Sequence, residues 1–216
     1  MVLLRDAAHT YVGTTGRMTY ADSVIGVLER AVMTRADNDD ELPMLAVMLG
    51  QREAIVVSSD GRHQTPGAFL DDVWCACRHL IDPVAVGMVA EFFIRPVRED
   101  DRQSFQPGSL RAAASYDPEV VTGWGGMVAS LDTKGAMPLV WSLHVSDDGL
   151  RMVEREDSTA VLLSKQMTTR LLVLLNEAPS GSNNLTYEDR RILFEYVRDS
   201  LPAIGLLADR IERVKL

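Results

Sequence analysis

The stretch VAVGMVAEFFI, residues 84–94, decides how the rest of this chain is read. Val84, Val86, Met88, Ala90, Phe92 and Ile94 recur at a period of two and define one side of a long strand. Ala85, Gly87, Val89, Glu91 and Phe93 make a smaller, mixed opposite side. That asymmetry predicts a sheet with a helical layer on one face and something closely packed on the other.

Upstream, two short apolar runs at 44–49 and 54–58 flank Gly50, Gln51, Arg52 and Glu53, which predicts a hairpin. Downstream, strand-like runs at 120–131, 137–145 and 150–154 are separated by two turn clusters, Asp132 to Gly135 and Ser146 to Gly149. Short turns between successive strands require antiparallel pairing. The fold class is therefore α+β: a mostly antiparallel sheet of about five or six strands, helices on at least one face, and a helical C-terminal third.

Helix starts are marked by Thr19 with Asp22 and by Thr186 with Asp189, a threonine followed three residues later by an acid. Helical spacing predicts helices over 23–34, 68–81, 159–177 and 187–199, with a short last one over 203–214 and a solvated loop at 35–41. In the helix at 68–81 the buried stripe is Leu70, Val73, Trp74, Cys77, Leu80 and Ile81. Residues 171–175 are apolar on nearly every side, which predicts burial in the core or against a partner. Residues 1–18 show no clear period and read as a short edge strand or a flexible arm. The connection at 98–118, with a short helix at 110–116, is long enough to expect a functional or mobile role. The 216 residues read as a single domain, 1–216.

Formal net charge is -9, from 22 basic and 31 acidic side chains, and no basic stripe interleaved with aromatics compensates it. Direct nucleic-acid binding is not expected. Nor is a membrane role, because no apolar run reaches bilayer-spanning length. No basic segment precedes a long apolar one at the start, and Cys75 and Cys77 are too close along one helix to bridge without strain. Both features predict a reduced, cytoplasmic chain.

Polar clusters are few. Asp72, Cys75 and His79 share one face of the helix at 68–81, and carboxylate, thiolate and imidazole together suit a transition metal such as zinc. An exposed helix face is the plainer reading. His63 lies among Ser58, Ser59 and Asp60 in a polar loop, where an imidazole can act as a general base or simply belong to a turn. His144 lies beside Ser142 on the polar side of its strand, and Glu91 on the poor face of 84–94 can line the same pocket. Gly123, Gly125 and Gly126 around Trp124 mark a bulge or a close approach, and they lack the phosphate-loop and dinucleotide patterns. The acidic pairs Asp71 with Asp72, Asp100 with Asp101 and Asp147 with Asp148 lack calcium-loop spacing and read as turns and helix starts.

No signature identifies a cofactor. The leading expectation is a non-catalytic protein-protein interaction or regulatory domain that self-associates as a homodimer or larger homo-oligomer. It rests on the apolar 171–175 segment and on the outward-looking aromatics Phe93 and Tyr196. The alternatives are a hydrolase, with or without a metal, using His63, His144 and Glu91, and a small-metabolite binding domain with Arg95, Arg98 or Arg102 as the charged contact.

Overall fold

The computed structural model describes residues 19–38, 43–51, 53–94, 116–118, 121–132, 135–145, 151–156, 165–176, 184–208 and 211–213. The arm at 1–18, the helix expected at 110–116 and nearly all of the 98–118 connection lie outside the described residues, as do the side chains of Phe93, Ser142 and His144. In chain order the elements are α1 (Tyr20–Asn38), β1 (Leu45–Leu49), β2 (Glu53–Ser59), α2 (Pro66–Cys77), β3 (Ala85–Ile94), β4 (Val121–Ser130), β5 (Gly135–Val145) and β6 (Arg151–Glu156). Then follow α3 (Lys165–Asn176), α4 (Tyr187–Arg198), a 3-10 turn (Leu201–Ile204), β7 (Leu206–Leu207) and β8 (Ile211–Arg213).

The fold is α+β, and every pairing between described strands is antiparallel. The strands run in the order β6-β5-β4-β3-β1-β2-β7, with β8 also on β2. Both faces are covered, as the two-sided pattern of 84–94 implies. Val86, Met88 and Ala90 of β3 pack into one core with Phe69, Leu70 and Val73 of α2, Leu171 and Leu174 of α3, and Phe194 of α4. Ala85 and Val89 face the other way, into a second core with Val24, Leu28 and Ala31 of α1. Val84 precedes the strand and joins this second core.

Gly87 explains why that second side is small. A Cβ there would lie 2.4 Å from Cγ1 of Val24 and 3.1 Å from Cδ1 of Leu28, so α1 rests directly on the β3 backbone. Gly126 of β4 serves a similar end. The β3–β4 and β4–β5 registers run without a bulge. A Cβ on Gly126 would meet the Met88 carbonyl oxygen at 2.6 Å and the Trp141 ring at 3.1 Å, so the missing side chain makes room for Trp141, which is buried.

Both expected helix starts form. The Thr19 hydroxyl accepts from the Asp22 N–H at 3.1 Å and the Asp22 carboxylate accepts from the Thr19 N–H at 2.9 Å. Thr186 and Asp189 repeat the reciprocal box at α4. Some boundaries depart from expectation; the helix expected over 68–81 runs from Pro66 to Cys77. α1 continues to Asn38, through the first residues of the solvated loop expected at 35–41; extending an existing helix costs far less than starting one. The helix expected over 203–214 does not form. Gly205, at φ 81°, ends the short turn after Pro202 in the left-handed region, and the chain then pairs with β2 through β7 and β8. These two strands carry the sheet past the expected width, and among the described residues the α-helices of the C-terminal third are α3 and α4.

Candidate functional site

The chemically richest cluster lies where β2 turns into α2. Ser59 is the last residue of β2, and Gly61 turns the chain at φ 94°. Thr65 caps α2, accepting from the Ala68 N–H at 3.3 Å, with Pro66 at the first helical position. The turn brings His63 between strand and helix. Ser59 Oγ lies 2.9 Å from its Nδ1, and Asp72 Oδ2 lies 3.0 Å from its Nε2. A carboxylate only accepts, so Nε2 carries a proton toward Asp72, and with the ring neutral the Ser59 hydroxyl donates to Nδ1. Ser59 Oγ in turn accepts from the Gly61 N–H at 3.2 Å.

The C-terminal turn closes over this chain of bonds. The Asp60 N–H donates to the Gly205 carbonyl at 3.0 Å, and Arg62 donates to the carbonyls of Pro202 and Ala203. A Cβ on Gly205 would fall 2.9 Å from Cε1 of His63, so the ring packs against bare backbone. The Phe69 and His63 rings meet edge to face, their centroids 5.4 Å apart. The bond from Arg62 holds the Asp60 carboxyl below its usual range, and Asp60 raises Arg62 correspondingly.

Serine, histidine and aspartate in series are the groups of an acyl-transfer triad, yet the ring nitrogens are exchanged relative to it. Ser59 is 4% exposed, and its oxygen already accepts one hydrogen bond while its proton is directed to His63. The His63 side chain is 5% exposed. In this closed arrangement the series works as a bolt joining β2, α2 and the C-terminal turn.

The residues singled out from sequence distribute as follows. His63 and Asp72 meet, although they were read as parts of different sites. Asp72 does not converge with Cys75 and His79: α2 ends at Cys77, and His79 lies past the Arg78 cap, its Nε2 accepting from Arg78 Nε at 3.0 Å. Cys75 is exposed on α2 with a free thiol. Among the described residues no three of His, Cys, Asp and Glu are grouped to hold a metal ion. Glu91 is exposed on β3, opposite Trp124 of β4. His144 belongs to β5, four strand positions from β2, or about 19 Å by strand spacing. Glu91 stands on β3, two strand positions from β2, and the His144 side chain lies outside the described residues.

A second polar centre was not anticipated. Arg190 is buried on the inner face of α4, where it contacts Asp82 Oδ2 at 2.6 Å, Glu53 Oε1 at 3.3 Å and the Leu80 carbonyl at 3.1 Å. It precedes Leu193, Phe194 and Val197 by three, four and seven residues, so its place on the inward stripe was readable. Its two carboxylates come from distant segments and were not.

The outer face of α4 carries two exposed large apolar side chains one turn apart. Ile192 is 58% exposed and Tyr196, one turn on, 85%. The apolar end of α3, by contrast, is used inside the chain, with Leu171, Leu174 and Leu175 buried in the core shared with α2 and the sheet. No helix among the described residues is long and apolar enough to cross a membrane. Against protein-family models, curated proteins and solved structures, the chain finds no match.

Proposed function

We propose that this is a non-catalytic interaction domain of the cytoplasm that self-associates through the outer face of α4. One observation carries the reading: Ile192 and Tyr196 stand one turn apart in solvent while Arg190 and Phe194 of the same helix are buried. A helix whose inner face is satisfied by its own core has no intramolecular use for a second apolar stripe, and aromatic residues with few rotors suit contact surfaces. The free Cys75 and Cys77 thiols fit a reducing compartment. The test is sedimentation velocity of the full chain over a wide concentration range, beside Ile192→Asp/Tyr196→Ser. A wild-type dimer that becomes monomeric in the double variant supports the reading. A monomer at every concentration removes it, and a dimer unchanged by the double variant moves the contact away from α4.

A further inference from the structure

Resting on that reading, we infer that the partner is a second copy of this chain, and that the two α4 helices pack antiparallel about a twofold axis at the level of Leu193. Glu188, Arg191, Glu195 and Arg198 run along one flank of the Ile192–Tyr196 stripe with alternating sign, spaced three, four and three residues apart. Within the helix they form two ion pairs, Arg191 to Glu188 and Arg198 to Glu195, each at 2.6 Å.

The spacing is symmetric. Glu188 and Arg198 lie five residues on either side of Leu193, and Arg191 and Glu195 lie two on either side. Reversing the helix about that point exchanges each acid for a base. In an antiparallel helix pair the same flank of each helix meets itself, so Glu188 comes opposite Arg198 of the second copy and Arg191 opposite its Glu195. A parallel pair in register would set this flank against the opposite flank of the second helix, so the row of charges would not meet itself. Ile192 and Tyr196, one residue before and three after Leu193, carry the apolar stripe across the same centre. The contact is self-complementary, so it closes as a dimer and does not propagate.

The experiment uses two charge-swapped full-length variants, Glu188→Arg/Glu195→Arg and Arg191→Glu/Arg198→Glu, studied alone and as an equimolar mixture by sedimentation velocity. Circular dichroism monitors α4 in each. The expected result is loss of about tenfold or more in association for each variant alone, with recovery in the mixture as a heterodimer. The first variant has a less negative total charge than the wild type, so its loss cannot come from overall repulsion. A wild-type dimer that both variants retain overturns the antiparallel register and leaves self-association standing. Loss in both variants without recovery on mixing also overturns it. A wild-type chain that is monomeric throughout removes this inference together with the reading beneath it.

Discussion

At the scale of single residues, the Ser59–His63–Asp72 series and the Cys75–Cys77 pair each separate chemistry from structure. Replacing Ser59 by Ala leaves the Gly61 N–H and His63 Nδ1 without their partner inside a closed turn. The expected loss is about 1–3 kcal/mol of stability, read by denaturant unfolding. A fluorophosphonate probe is expected to leave Ser59 unmodified in the native protein; stoichiometric labelling there would make the series a nucleophilic site instead. The two cysteines differ in kind. Burial pushes the Cys77 thiol up to about 12 from 9.0, while Cys75 is exposed. A thiol-specific reagent should modify Cys75 in the folded chain and Cys77 only on unfolding. Because the folded value of Cys77 lies above the unfolded one, its contribution to stability is complete below pH 9.0 and is lost as pH rises toward 12. The slope from this group is about 1.4 kcal/mol per pH unit in that window, and Cys77→Ala should remove it from the alkaline unfolding curve.

At the scale of elements, Arg190 fastens α4 to the sheet. Its guanidinium reaches Glu53 at the start of β2 and Asp82 ahead of β3, three segments far apart in the chain. Arg190→Met keeps the apolar stem but leaves the buried Glu53 carboxylate without this cation. The expected cost is about 3–5 kcal/mol, smaller when Glu53→Gln is also present, and thermal unfolding of the single and double variants checks both. What was legible at this scale follows from period and capping. The long strand, the hairpin before it and the two threonine-started helices were readable because each is specified by its own residues. The bonds that meet at Arg190 and His63 were not, because each joins side chains that only the folded turns bring together. The C-terminal strands escaped for a different reason: two or three residues are too short to display a period, and Leu206 and Leu207 pair with β2 because its edge lies open beside them. For α3, an apolar surround looked equally like core or interface. Only its packing against the sheet and α2, with Leu171, Leu174 and Leu175 buried, decides for core, which leaves α4 to carry the case for assembly.

At the scale of the whole molecule, two electrostatic effects of opposite sign act on the proposed dimer. Each copy has a formal net charge of -9, so approach is opposed at long range. At contact, the alternating row of Glu188, Arg191, Glu195 and Arg198 favours the antiparallel pair. Salt screens the two unequally. The long-range repulsion acts over distances beyond the Debye length, about 30 Å at 0.01 M and about 10 Å at 0.1 M, and is removed first. The ion pairs at the interface act over a few ångströms and weaken only at higher ionic strength. The dimerisation constant should therefore rise from 0.01 to about 0.1 M salt and fall again toward about 1 M, with the apolar contact of Ile192 and Tyr196 setting the floor. Sedimentation equilibrium across that range measures the curve. In the charge-swapped variants taken singly the high-salt arm should invert, since screening then relieves repulsion at the contact. A constant that declines from the lowest salt onward would mean that opposite charges meet over a much wider surface than one flank of α4, and would point to a different interface.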